Sequence, residues 1–285
     1  MSRPRGPARR TSSARPNAIA VILARAGSKG VPGKNWRRIA GRACVWWTID
    51  AARSAESVSR VIVSTDAPVV ARIARRAGCE VVERPPDLAS DRATVDSAAR
   101  HAIESIERAA GRPLAPKTPI VLLYANVPVR PEGLIDRAVA LLGRRSQNAD
   151  SVQSYQPVGK NHPMWTARMR PDGTVAPWEG LVLNGGVFRR QDLPPAYIPD
   201  GGVIVVTRRS LFLQVPSARP GPHAFFGLKR LGVINPEGSV VDIDEESDVL
   251  VAGAKLREAA RRTRERGAST PRGNPKRKDR PRAHR

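Results

Sequence analysis

Four short apolar runs punctuate the first half of the chain: Ala18–Ala24 (AIAVILA), residues 60–64 (RVIVS), Glu80–Glu83 (EVVE) and Pro119–Tyr124 (PIVLLY). They are shorter than most helices and rich in aliphatic residues, the pattern of strands buried in a parallel sheet. Between and after them, residues 43–55, 68–77, 94–110 and 131–143 carry apolar side chains at helical spacing. This βαβα order predicts an α/β domain, a Rossmann-like and mostly parallel sheet with helices on both faces. Ligands are then expected at the carboxyl ends of its strands.

Beyond residue 150 the rhythm changes to segments rich in Pro and Gly, among them Pro194 and Pro195 and Gly185 and Gly186, broken by the apolar run 202–206. Hairpins and an irregular excursion over about residues 155–200 are expected there, and a last helix over 245–264 with Leu250, Val251 and Leu256 as a partial apolar face. The predicted domain covers residues 18–264. Residues 1–17 and 265–285, rich in Arg, Pro and Gly, read as disordered basic tails.

The formal net charge of +23 would point to nucleic acid if it covered a folded face. Residues 1–16 carry +5 and residues 252–285 carry +10, which leaves +8 for the body of the chain. A non-enzymatic nucleic-acid binder is therefore the distant alternative, supported by the tails alone. Cys44 and Cys79 show no metal-ligand spacing, and two thiols in 285 residues suit a reducing cytoplasm. No apolar stretch is long enough to span a bilayer, so a soluble cytoplasmic protein without membrane partners is expected.

Chemistry enters after the first strand, at Ala24-Arg25-Ala26-Gly27-Ser28-Lys29-Gly30-Val31-Pro32-Gly33-Lys34-Asn35. Glycines let backbone amides converge on an anion, and Arg25, Lys29 and Lys34 can neutralise a triphosphate. The spacing is neither that of a P-loop nor of a dinucleotide fingerprint. Arg25, Ser28-Lys29-Gly30, Pro32 and Lys34-Asn35 together resemble the signature of the cytidylyltransferases that make CMP-sialic acid and related CMP-nonulosonic acids. The resemblance implies the nucleotide-diphospho-sugar transferase type of fold. It further implies Arg25, Lys29 and Lys34 as the catalytic cations, with Ala24, Gly27, Ser28 and Asn35 around the nucleotide.

It continues through Ser64-Thr65-Asp66, whose Asp66 could alternatively cap the helix beginning near Pro68. The segment from Arg84 to Asp91 is similar to the family's base-binding loop and makes Arg84, Ser90, Asp91 and Thr94 candidates for the nucleoside. For the sugar acid the resemblance implies Tyr124, Asn126, Arg130, His162 and Asp200. Tyr124 stands where the family usually has Gln, Asn126 where it has Thr, Trp165 where it often has Lys, and Ile198 where it has Arg.

Finally, Asp242-Ile243-Asp244 resembles the family's Asp-Ile-Asp. Two carboxylates at period two in extended chain project to one side and suit Mg²⁺ held against phosphate oxygens, with helix capping by Asp244 as the alternative. The activity implied is transfer of CMP from CTP to an acidic sugar by a homodimer whose excursion reaches the neighbouring site. A CMP-Kdo synthetase-like or other nucleotide-sugar enzyme is the nearer alternative.

Overall fold

The computed structural model describes residues 17–27, 30–144, 146–215, 221 and 223–268, with side chains described up to residue 265. Most of both basic tails, and Ser28 and Lys29, lie outside the described residues.

Strand β1 (Ala18–Ala24) is buried at every position and runs through the interior of a seven-stranded sheet. A short ribbon, β2 (Arg38–Ile39) against β3 (Arg42–Ala43), leads into α1 (Cys44–Ser54). The chain then forms β4 (Val58–Thr65), α2 (Pro68–Arg76) and β5 (Glu80–Glu83). A single turn α3 (Pro86–Ala89) and the longer α4 (Val95–Ala110) carry it to β6 (Pro119–Tyr124). Next come α5 (Leu134–Leu142) and β7 (Ser151–Pro157), then an excursion holding the hairpin β8 (Ala167–Met169) and β9 (Val175–Pro177). The chain returns through β10 (Tyr197–Thr207), the turn α6 (Arg208–Leu211), β11 (Arg230–Ile234) and α7 (Glu246–Ala268).

The strand order is β11-β7-β10-β6-β1-β4-β5. β6, β1, β4 and β5 are parallel, β10 runs antiparallel to both β6 and β7, and β11 is parallel to β7. The chain leaves β1 toward β4 on one side and returns as β6 on the other, so a crevice opens beyond the carboxyl ends of β1 and β6, where such sheets bind ligands.

Alternate residues of β1 enter different cores, as strand geometry requires. Ala20 and Ile22 pack with Val45, Ile49, Leu123 and Leu134, while Ile19 and Val21 pack with Ile62, Ile103, Ile120 and Leu122. A third, smaller core joins Val31, Ile39, Cys44, Val241, Ile243 and Ala252.

The expected strands and helices of the first half are present. β4 begins two residues earlier than the apolar run. α4 starts after Thr94, whose hydroxyl accepts the amide of Ser97, and stops at Gly111, where the backbone is left-handed (φ 66°). Two expectations change. After residue 150 the main sheet itself continues through β7, β10 and β11, and the excursion occupies only the connection between β7 and β10. The last helix runs to Ala268 instead of fraying near residue 264, supported by the i,i+4 pairs Arg261–Glu265 and Arg262–Glu258. Cys44 and Cys79 are free and buried, and no helix among the described residues is long and apolar enough to cross a membrane.

Leu123 is fully buried in β6 beside β1. Leu123→Ala is expected to lower the unfolding free energy by about 3 kcal/mol in urea denaturation, and a loss well under about 1 kcal/mol would contradict its core position.

Candidate functional site

A cavity of about 440 Å³ lies at the crevice beyond β1 and β6. Arg25, Gly27, Lys34, Asn35, Arg84, Ser90, Asp91, Thr94, Tyr124, Asn126 and Asp244 all line it. Leu23, Val95 and Ala98, with Leu88 of the Arg84-to-Asp91 segment, add an apolar wall; the signal of the first three in the sequence is only that they flank polar site residues.

The glycine-rich loop is fixed from both ends. At its start the carboxylate of Asp66 accepts the amide of Ala26 at 2.7 Å. The helix-cap alternative for Asp66 thus gives way: α2 has no side-chain cap, and the amide of Ala67 is taken by Thr65. Asp66 therefore serves the loop, and the sequence signal for this was its place at the end of the strand next to β1. Farther along, Val31 is fully buried in the third core, and Gly33 adopts a left-handed φ of 66° over the indole of Trp36.

The two described cations of the loop, Arg25 and Lys34, have partners within the protein. Arg25 Nη1 pairs with Asp91 Oδ1 at 2.7 Å, and Lys34 Nζ donates to Asp244 Oδ1 at 2.8 Å and to the carbonyl of Ile243 at 2.6 Å. Asn35 is 6% exposed; its Nδ2 donates to the carbonyl of Arg25, and its buried Oδ1 has no partner among the described residues and can accept from a ligand. Arg84 is buried, with Nε on Ser64 Oγ and Nη2 on the carbonyl of Ser64. Burial lowers its pKa and Asp66 partly offsets this. Ser90 donates to the carbonyl of Asp87, and Thr94 caps α4 at the cavity rim. Ala24 is buried at the end of β1, behind the cavity wall.

The five residues implied for the sugar divide. Tyr124 and Asn126 reach the cavity, and burial, helped by the Asp242 charge, raises the phenol pKa of Tyr124. Arg130 does not line it. Its guanidinium is spent on the carbonyls of Gly202, Tyr124 and Val127 and on the Thr48 hydroxyl, and burial pushes its pKa down to about 10. His162 also lies elsewhere: Nδ1 accepts the amide of Met164, so Nε2 carries the hydrogen given to the carbonyl of Pro194. Asp200 accepts from Ser154, Asn235 and the amide of Gly202, and shapes the bend inside β10. These three tie the chain together, where the family resemblance implied contacts with the substrate.

Asp242 and Asp244 flank the fully buried Ile243. The carboxylate of Asp242 accepts from Asn126 Nδ2, and its pKa is pushed up to about 6, first by burial and then by Asp244, against the pull of Lys34 and Arg130. Asp244 does not cap α7. The amides of Asp244 and Glu245 both go to Asp248, while Asp244 itself faces Lys34. Two hard oxygen donors whose mutual repulsion is incompletely relieved fit Mg²⁺, which commonly takes one or two carboxylates and completes its shell with phosphate and water.

Comparison with known proteins follows the same direction. The family model described as cytidylyltransferase matches residues 19–167. An N-acylneuraminate cytidylyltransferase of Streptococcus agalactiae is 30% identical over 234 residues, covering 81% of this chain and 51% of that protein. The chain thus spans about half the length of that relative. A CMP-N,N'-diacetyllegionaminic acid synthase of Legionella pneumophila is 28% identical over 194 residues, covering 68% of this chain and 79% of its own. In fold the chain is similar to a CMP:2-keto-3-deoxy-manno-octonic acid synthetase solved with CTP. The TM-score is 0.59 at 15% identity, over 85% of this chain and 99% of the other.

The raised pKa of Asp242 has a consequence for stability. The folded protein holds this proton more tightly than the unfolded chain does, so the group contributes stability at pH 4 that is lost as pH rises through about 6. In metal-free buffer, Asp242→Asn is expected to stabilise the protein by about 2 kcal/mol at pH 8, after discounting for partial exposure. The gain should vanish toward pH 4 in thermal melts, and a gain independent of pH would refute the assignment.

Proposed function

The chain belongs to the cytidylyltransferase family, and from that premise we propose that it transfers CMP from CTP to an acidic sugar of the sialic acid-like nonulosonic class, releasing pyrophosphate. The observation that carries this reading is the cavity in which Arg25, Lys34 and Asn35 of the glycine-rich loop face Arg84 and Thr94 of the following loop, with Asp244 at its edge. The relatives are named for an acylneuraminate and a diacetyllegionaminic acid, and the class of sugar is taken from them.

The anomeric hydroxyl of the sugar attacks the α-phosphorus in line; a bond from phosphorus to the sugar oxygen forms as the bond to pyrophosphate breaks, and the hydroxyl proton passes to water. Protein catalysis is then positioning and charge neutralisation. Arg25, whose pairing with Asp91 is partly exposed, exchanges that carboxylate for phosphate oxygens, and Lys34 supports the leaving pyrophosphate from the other side. Lys29 is read as the third cation. Asn35 Oδ1 accepts a hydrogen from the nucleoside, and Tyr124 borders the space left for the sugar. Asp242 and Asp244 would hold Mg²⁺, which supplies counter-charge to the phosphate oxygens.

A homodimer is part of the proposal. The excursion between β7 and β10 exposes Leu181 at 98% and Phe188 at 81%, with Trp178 and Ile198 nearby in sequence, and a second copy of the chain is the partner that would cover them. The free thiols of Cys44 and Cys79 support a cytoplasmic location.

Pyrophosphate release tests the activity directly, with each of the four ribonucleoside triphosphates against a panel of 2-keto-3-deoxy sugar acids. Release is expected with CTP and a nine-carbon acid. Equal release from UTP would overturn the nucleotide assignment, and preference for the eight-carbon acid would favour the CMP-Kdo synthetase-like alternative. In the same assay Asp244→Asn should lose most turnover at saturating CTP and sugar while stability changes by less than about 1 kcal/mol. Normal turnover would remove Asp244 from the site.

A further inference from the structure

The segment from Val241 to Asp244 is suspended between two side chains that come from distant parts of the chain. The amide of Val241 donates to the carbonyl of Val129, and that of Ile243 to the carbonyl of Asn126, so the loop after β6 holds one edge of the segment by its backbone. The side chains then add a second layer. Asn126 Nδ2 donates to Asp242 Oδ1 and to the carbonyl of Ile243. Lys34 Nζ donates to that same carbonyl and to Asp244 Oδ1. The carbonyl of Ile243 thus receives both donors, and each donor goes on to one of the two carboxylates.

We propose that Asn126 is a positioning residue for the Asp242 carboxylate of the acidic pair, and not a ligand of the sugar. This rests on the reading of that pair as the Mg²⁺ site. Both hydrogens of the Asn126 amide are engaged within the protein, one on Asp242 and one on Ile243. Ile243 is fully buried, which stops the segment from sliding, but burial of Ile243 does not fix the torsions of the acidic side chain before it. The carboxamide does. A neutral amide suits this task because it orients a carboxylate without cancelling its charge, so the pair keeps its attraction for a divalent cation. An ammonium in the same place would neutralise the anion, and an aliphatic side chain would leave a half-buried carboxylate short of a donor.

The test is a titration of the full chain with Mn²⁺, read by electron paramagnetic resonance with CTP bound, for the wild type, Asn126→Ala and Asn126→Ser. Mn²⁺ affinity is expected to fall roughly 10- to 100-fold in Asn126→Ala, the usual size of the effect when a residue that orients a metal ligand is lost. Asn126→Ser, which keeps one donor hydrogen, should fall less. At saturating Mn²⁺ the KM for the sugar should match the wild type. Should the alanine variant fail to fold, a loss of Mn²⁺ affinity in the serine variant supports the proposal in its place. Unchanged Mn²⁺ affinity in the variants, or a raised sugar KM with metal affinity intact, overturns the proposal. A wild-type protein that adds nothing to the Mn²⁺ affinity of free CTP removes the metal reading itself, and the role of Asn126 with it.

Discussion

The carbonyl of Asp244 lies where a side chain at residue 30 would begin, and this contact between the glycine-rich loop and the Asp242–Asp244 segment is the constraint on which the site depends. Only glycine allows it. Around it, Val31 of the loop and Ile243 of the segment are both fully buried in the third core with Cys44, Val241 and Ala252. Lys34 spans the same junction with its two hydrogen bonds. The glycine-rich loop and the acidic segment therefore behave as one packed body, and neither can shift without disturbing the other.

The electrostatics follow from that packing. Arg25 and Lys34 rest against Asp91 and Asp244, pairs in which at least one partner is well exposed. Exposed pairs contribute little to stability. Arg130 is the opposite case. Its guanidinium is buried among backbone carbonyls of the loop after β6 and of β10, so it supports the loop that carries Asn126. Removing it would take from the carbonyl of Gly202 its guanidinium donor, while the carbonyls of Tyr124 and Val127 keep the amide of Val127 and the hydroxyl of Thr48, so Arg130 outside the cavity acts on the loop and not on its contents.

Much of this was legible in the sequence, for identifiable reasons. β1 and β6 are aliphatic along nearly their whole length, and Thr94 and Gly111 mark the ends of α4 with the chemistry that helix termini need. The cavity residues of the first loop were readable because cations and glycines crowd there for a shared purpose. The later strands were not. β7 reads SVQSYQP and is buried at only three of its positions, so its pattern does not distinguish a strand of the main sheet from a surface hairpin. The residues implied for the sugar divide for another reason: Arg130, His162 and Asp200 are polar residues in motif positions, and only three dimensions reveal that they lie outside the cavity with hydrogen bonds to groups of the protein itself. Asp66 was ambiguous because a carboxylate before a helix suits a cap as well as it suits the amide of Ala26, 40 residues away.

The union of the first loop with the acidic segment also fixes when the site can exist. Lys34 and Asp244 are separated by 210 positions, and the third core needs Ala252 of α7. A chain emerging from the ribosome can pair β1, β4 and β6 long before that residue is made, but its glycine-rich loop then lacks the wall it packs against. Assembly of the site is thus a late event dominated by contacts remote in sequence, the kind that close slowly. Until α7 docks, the glycine-rich loop and the acidic segment lack Ala252, the residue that closes the core they share.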